Sequence, residues 1–453
     1  MVDPSRLRPP GKYSRAFGWR VSTPQSSSLK SDLGGLSLLS RSDLPDILED
    51  FLDISRRRKS NRTAISKLQL SMLQEIVFYE AVIKRYKQRL EELKSSSIKD
   101  TEESDPEVEA LNRDLFVVRV YANAIRSIGD GIAWRALDYD RAVTRLMAEH
   151  ATKQQVMSEG LTRELLEWSI HFDNGSGIAI LNSLTNCLAV GDVTVVKDDG
   201  SAEIVEVKSS SAKSRRKVRQ KQKMREIVTL LSSGAGDAGY KDVSIEILPI
   251  EPESGLSRIG ALLSEAEVRG WASDKISNCL YVECFDFEKI TSFDAIKVDI
   301  ESAKDKLIGD WSEQGDFVLD MNSLDLIAFS PNCAPFSIFP FPNRTCIDLL
   351  IGKKCYIAHL NQNAVAREFE YRGWTVVKTP EQLVAEGRTD ESLLIQKGRF
   401  HAAVPPADYM RMQMEALRVR TVISAFETKF REGPQASSGL LLHLYEGERL
   451  LWD

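Results

Sequence analysis

The chain has 453 residues, long enough for two or three domains and a sizeable core. Its composition is 42% apolar and 28% charged, as in a soluble globular protein, and no apolar run is long enough to cross a bilayer. The net charge of −6 argues against a polyanion binder over the whole chain, so affinity for nucleic acid would have to come from a local patch.

The six cysteines (Cys187, Cys279, Cys284, Cys333, Cys346 and Cys355) form no CxxC pair, and the five histidines are scattered. Free buried thiols are therefore expected rather than a zinc site. With no apolar leader in the sequence, a cytoplasmic location and no membrane partner are expected.

Residues 1–40 are rich in Ser, Pro, Gly and Arg, lack sustained periodicity and, with Asp3 the only acid before Asp32, read as a disordered basic tail in preference to a transit peptide. Over 64–95, Ile65, Leu68, Met72, Ile76, Tyr79, Ile83, Tyr86, Leu90 and Leu93 recur at spacings of three and four, which predicts a long helix. Ser96 to Asp105 is a polar connector closed by Pro106. A second stripe then follows at Val108, Leu111, Leu115, Val118, Ala122 and Ile125. The two helices most simply form an antiparallel hairpin over 41–125. An intermolecular coiled coil is less economical, because each helix already has a partner. Gly129-Asp130-Gly131-Ile132 reads as the start of another helix, with Asp130 placed to cap it. A helix over 161–169 carries Glu164 and Glu167, and Ile178–Leu181 reads as a strand.

The stretch from Gly191 to Lys208 reads as two Val- and Ile-rich strands joined by Asp198-Asp199-Gly200, a β-hairpin. If the valines of both strands face one core, opposed residues must sum to an even number. A three-residue loop at Asp198–Gly200 satisfies this and pairs Val193 with Val205, whereas a two-residue Asp199-Gly200 turn mixes the faces. The same register sets Asp192 opposite Glu206. Lys208 falls on the same face as Glu206, roughly 7 Å along the strand.

Two facing carboxylates repel unless a cation sits between them, and hard oxygen ligands favour Mg²⁺ or Mn²⁺. Such an ion polarises a phosphoryl oxygen and acidifies a bound water. A neighbouring ammonium adds roughly 10²–10³ in rate as one preorganised donor. The bland alternative is a surface hairpin with solvated charged ends.

Between Lys213 and Arg225 lie eight basic residues and no acid: Lys213, Arg215, Arg216, Lys217, Arg219, Lys221, Lys223 and Arg225. With Val218, Met224, Ile227, Val228 and Leu230 the run is expected to form a helix with one apolar face. Its basic side either is merely solvated or tracks phosphates. Val243–Leu248 reads as a closing strand.

Gly191-Asp192 followed by Glu206-Val207-Lys208-Ser209-Ser210 resembles the core motif of the PD-(D/E)XK nuclease superfamily, over roughly residues 125–250. The resemblance implies a restriction-endonuclease-like αβββαβ core with Asp192 and Glu206 as metal ligands and Lys208 assisting the attacking water. It also implies a glutamine on the following helix, at Gln220 or Gln222. Gly191 stands where the family name has proline. The acid that many members carry on the helix before the sheet is placed first at Asp130, with Glu164 and Glu167 as rivals.

From 255 to 453, helices (257–269, 295–308, 362–372) alternate with strands (279–285, 324–329, 354–358, 374–378), arguing an α/β domain of undefined role. Pro331–Pro342 is expected to be an ordered loop, and 407–430 a last helix.

The expected fold class is therefore a multidomain α/β protein with an N-terminal long helical hairpin, a nuclease-like core over 126–250 and a C-terminal α/β domain. The expected activity is metal-dependent hydrolysis of nucleic acid, DNA ahead of RNA, by an endonuclease or exonuclease. A role in restriction or antiviral defence follows only by analogy. The alternatives are a catalytically silent nuclease-like binding or assembly module, and a helical scaffold for a partner protein. A homo-oligomer or partner would engage the N-terminal helices or the C-terminal domain.

Overall fold

The computed structural model describes residues 44–57, 62–96, 106–148, 161–173, 177–198, 201–207, 235–236, 243–248, 250–314, 316, 318–324, 333–386, 393–432 and 441–445. The expected tail at 1–40 lies outside them.

The first helices are α1 (Leu44–Arg56), α2 (Arg62–Ser96) and α3 (Pro106–Ala136). The apolar stripes meet as their spacing predicts. Leu68, Met72, Ile76 and Tyr79 on α2 are buried, as are Leu115, Val118, Ala122 and Ile125 on α3. The helices run antiparallel, with Tyr79 and Tyr121 rings 6.0 Å apart and ion pairs Arg126–Glu80 (2.7 Å) and Arg89–Glu107 (2.8 Å) along the seam.

α3 continues without a break through Gly129-Asp130-Gly131 to Ala136, so no new helix opens there and a domain boundary at 125/126 falls inside one element. Close approach explains the two glycines. A Cβ on Gly129 would sit 2.1 Å from the Leu184 carbonyl oxygen, and one on Gly131 would sit 2.6 Å from Ser337 Oγ. The pair reads like a helix break in sequence but is a contact surface.

Next come α4 (Arg141–Ala148), α5 (Leu161–Asp173) and an antiparallel sheet of β1 (Ile178–Leu181), β2 (Val193–Val196) and β3 (Ala202–Val205) in that order. All four residues of central β2 are buried. The outer edge of β1 is covered by side chains acting as a partner strand. Gln69 Nε2 donates to the Ala179 carbonyl and Gln69 Oε1 accepts from the Leu181 amide, both at 2.9 Å. Trp168 Nε1 of α5 donates to the same carbonyl at 3.0 Å.

β4 (Ala235–Gly236) and β5 (Val243–Leu248) follow. Among the described residues β5 does not close the first sheet; it pairs parallel with β13 (Leu441–Tyr445) and antiparallel with β4. The terminal Leu-Leu-His-Leu-Tyr run, unassigned in the sequence reading, takes the edge that the αβββαβ order reserves for the other strands.

The C-terminal region is mixed α and β, but its main sheet is wholly antiparallel. After α6 (Leu256–Arg269) come β6 (Trp271–Ser277), β7 (Leu280–Asp286), α7 (Phe293–Glu313), β8 (Val318–Asn322), α8 (Asn343–Leu350) and β9 (Lys354–Asn361). The strand order is β6-β7-β9-β8. One face, with Val282, Cys284, Tyr356 and Ala358, joins the main core; the other carries Tyr281, Phe285 and His359 beneath α7.

The remaining elements are α9 (Gln362–Tyr371), β10 (Thr375–Lys378), α10 (Pro380–Ala385), β11 (Leu393–Lys397), β12 (Phe400–Val404), α11 (Pro406–Met414) and α12 (Val419–Glu432). β10, β11 and β12 form an antiparallel sheet. β8 precedes the strand expected at 324–329, of which 325–329 lie outside the described residues.

The single last helix expected over 407–430 is two helices. Between them Ala416 adopts φ 47°, and its carbonyl accepts from the Gly255 amide at 2.9 Å. Glu415 beside it is fully buried. It accepts from Arg141 (2.9 Å), Arg411 (3.0 Å) and the Ala334 amide (2.9 Å). That pin holds three distant segments together.

One apolar core runs from Leu48 on α1 to Phe426 on α12, joining the helical hairpin, the first sheet and the C-terminal region. The expected ordered loop is seen from Cys333 onward. Phe336, Phe339 and Phe341 are buried there, and the Arg56 guanidinium donates to the carbonyls of Ser337, Phe339 and Phe341. All six cysteines are free and buried. No helix among the described residues is long and apolar enough to cross a membrane.

Candidate functional site

The β2–β3 ladder has the register that the parity argument predicts: Val193 pairs with Val205, Thr194 with Ile204, Val195 with Glu203 and Val196 with Ala202. At the closed end the Lys197 amide donates to the Ser201 carbonyl at 2.8 Å; Asp199 and Gly200 lie outside the described residues. At the open end Gly191 enters with φ 78°, where a Cβ would meet Ile204 Cγ2 at 2.4 Å and the Val205 carbonyl at 3.1 Å. Glycine is what lets the chain turn into β2 this close to β3.

Asp192 is fixed on three sides. Its amide donates to the Val205 carbonyl (2.8 Å), and its carbonyl accepts from the Asn182 amide (3.0 Å). Its Oδ2 accepts from the Val207 amide at 2.6 Å. Burial pushes the Asp192 carboxyl above its ordinary range, and the nearby Glu206 carboxylate pushes it further, against the lowering effect of the Val207 N–H. Glu206 itself is half-buried. The fold thus brings the two carboxylates together at one hairpin end, as the register requires. Two hard oxygen donors in mutual repulsion suit a divalent cation that keeps much of its water, as Mg²⁺ does. Among the described residues no group of three or more His, Cys, Asp or Glu side chains is gathered for a metal.

Asp130, the first candidate for the acid on the helix before the sheet, is held by the connection between β1 and β2. It is buried within α3, and its Oδ1 accepts from the Asn186 and Cys187 amides (2.6 and 2.8 Å) while Oδ2 accepts from Asn186 Nδ2 (2.9 Å). It therefore anchors the β1–β2 connection that leads to Asp192, and it is no helix cap. Glu167 lies 3.4 Å from His171, and neither Glu167 nor Glu164 is among the groups that shift Asp192. Lys208, Gln220, Gln222 and the basic run Lys213, Arg215, Arg216, Lys217, Arg219, Lys221, Lys223 and Arg225 lie outside the described residues.

A second polar cluster escaped the sequence reading. On the α7 side of the C-terminal sheet, buried His359 lies between Asp320, with Nδ1 to Oδ1 at 2.6 Å, and Glu283, with Nε2 to Oε2 at 3.4 Å. Burial alone would lower the imidazole pKa, but Asp320 and Glu283 outweigh it and raise it to about 9. Burial likewise opposes ionisation of both carboxyls, and His359 and then Lys304 reverse this and hold them below their usual range. Residues 283, 320 and 359 come from three strands, so no linear spacing announces the cluster.

No family model matches this sequence, and no curated protein or solved structure matches it significantly.

Proposed function

We propose that the chain is a metal-dependent nuclease that hydrolyses phosphodiester bonds in nucleic acid, DNA ahead of RNA, at Asp192, Glu206 and Lys208. The observation that carries this reading is the β2–β3 register, which sets a part-buried Asp192 under the field of Glu206 at the hairpin's open end. Asp192 and Glu206 would hold Mg²⁺ or Mn²⁺, which supplies a polarised phosphoryl oxygen and a more acidic bound water.

The protein's own share is positional. The Val207 N–H fixes one Asp192 oxygen and so aims the other. Gly191 and the Asn182 amide fix the backbone beneath it. Lys208, one residue beyond Val207, would place its ammonium against charge that develops at phosphorus or orient the attacking water. A role in restriction or antiviral defence belongs to this proposal only by analogy.

The test is cleavage of duplex and single-stranded DNA and RNA by wild type, Asp192→Ala and Lys208→Ala at equal, saturating Mg²⁺ or Mn²⁺. Asp192→Ala should lose metal binding and cleavage together. Lys208→Ala should keep the metal and lose roughly 10²–10³ in rate. Equal rates in wild type and Asp192→Ala would end the nuclease reading.

A further inference from the structure

A groove with a cavity of about 500 Å³ opens in the C-terminal region, and no residue of the candidate site lines it. One face of α9 runs along it, where Ala364, Arg367, Glu368 and Tyr371 recur at helical spacing over about 10 Å. The end of α7 supplies Asp310 and Trp311, and the β6–β7 hairpin supplies Lys275 and Asn278.

One charge in the groove is already matched. Arg367 forks onto buried Asp316 at 2.8 and 3.0 Å, and Asn361 Nδ2 donates to the same carboxylate at 2.7 Å. Lys275, Asp310 and Glu368, by contrast, make no ion pair with any described residue. Lys275 instead lies over the Trp311 ring, 5.5 Å from its centroid. Trp311 is only 3% exposed, yet its indole N–H donates to no described residue. These groups converge. Burial pushes the Cys279 thiol up to about 12; Glu368 adds to this, and Arg367 and Lys275 oppose it, so all three act on one buried point. Asp310 in turn acts on Arg367.

The unmatched charge is therefore two carboxylates and one ammonium, set around a cavity with an aromatic surface. Its complement is a ligand with two cationic groups and one carboxylate. A neutral sugar or an anionic nucleotide would leave charges unanswered. A basic α-amino acid carries the required set in its α-ammonium, side-chain cation and α-carboxylate. We propose that this groove is a binding site for a basic α-amino acid such as arginine or lysine. Asp310 and Glu368 receive its two cationic groups, Lys275 its carboxylate, and Trp311 and Tyr371 its alkyl stem. The binding needs neither Asp192 nor Glu206 and stands apart from the nuclease reading.

The test is titration calorimetry of the full chain with L-arginine and L-lysine. Arginine amide, Nα-acetylarginine and norleucine, which lack the carboxylate, the α-ammonium and the side-chain cation in turn, are titrated beside them. Wild type should bind a basic amino acid, and each derivative should bind roughly tenfold or more weakly. Glu368→Gln and Asp310→Asn should each weaken arginine by a similar factor, and Lys275→Gln should erase the preference for arginine over its amide. None of these three side chains is buried, so the variants should melt with wild type. If Lys275→Gln melts early for want of its Trp311 contact, the amide comparison on wild type decides the same point. Absence of binding by arginine and lysine at millimolar concentration would overturn the proposal. So would affinity that the variants leave unchanged, a derivative that binds as tightly as arginine, or tighter binding of adenosine monophosphate or glucose.

Discussion

Two places in this molecule use an antiparallel ladder to press two carboxylates together, and they resolve the repulsion differently. In the C-terminal sheet, Glu283 and Asp320 flank His359, and Lys304 adds a second cation, so the cluster closes its own charge. At the open end of β2–β3, Asp192 feels Glu206, and no described cation acts on it. An ion cluster complete in itself, built on buried Glu283 and His359 with Asp320 at the sheet's exposed edge, is a weld between strands. A carboxylate pair without a described counter-charge is a place for a cation from elsewhere in the chain or from solution.

The contrast breaks most visibly at His359. Replacing it by leucine leaves Glu283 buried beside Asp320 without its nearest cation, and breaking such a set costs on the order of 3 kcal/mol. Urea unfolding should show that loss for His359→Leu and almost none for Asp192→Ala. Equal, small losses in both would mean that the cluster is no weld.

The same cluster should make stability depend on pH. His359 is raised in the folded protein, so its contribution is fully present below about 6.5, the unfolded value, and is lost as pH rises through about 9. Wild type should lose on the order of 3 kcal/mol across that window, and His359→Leu should lose much less. A flat wild-type profile between pH 6 and pH 10 counts against the assignment.

The carboxylate pair at β2–β3 should respond to metal instead. A ligand at about 100 times its Kd stabilises by about 2.7 kcal/mol if it binds only the folded state. Saturating Mg²⁺ or Mn²⁺ should therefore raise the melting temperature of wild type and leave Asp192→Ala unmoved. His359→Leu should keep the metal response despite its lower starting point. An equal shift in Asp192→Ala would put the cation elsewhere.

This difference between the clusters also marks what a linear sequence reveals. The β2–β3 site was legible because one hairpin holds both carboxylates and side-chain parity fixes the register. The helical hairpin was legible because its stripes are long and regular. Glu283, Asp320 and His359 were not, because only the order β7-β9-β8 brings them together. β6 was missed because Trp271-Ala-Ser-Asp-Lys-Ile-Ser has little β-branched apolar content. Gly129-Asp130-Gly131 misled because glycines serve breaks and close contacts alike, and only the Leu184 carbonyl above the helix tells which. Asp130 then proved to anchor the Asn186–Cys187 loop, a role that depends on residues more than fifty positions away.

The smallest expected effect is the most pointed. If Asp192 is held against its own preference, removing its charge while keeping its shape should stabilise the metal-free protein. Its carboxyl is raised first by burial and then by Glu206. The folded state therefore binds more protons than the unfolded one just above the ordinary carboxylate value near 4, and stability falls as pH rises through that window. Asn keeps an oxygen to accept from the Val207 amide, so the bond at Oδ2 has a neutral substitute. Asp192→Asn in EDTA should then melt slightly above wild type at neutral pH, by about 1 kcal/mol or less for a half-buried pair. The gap should shrink toward pH 4 and reverse when Mg²⁺ is added, because only wild type gains from the ion. Should Asp192→Asn be the less stable protein at neutral pH in EDTA, the charge-assisted bond from Val207 outweighs burial and repulsion together. The pair would then be as self-sufficient as the cluster around His359, and the argument for a cation between Asp192 and Glu206 would lose its physical basis.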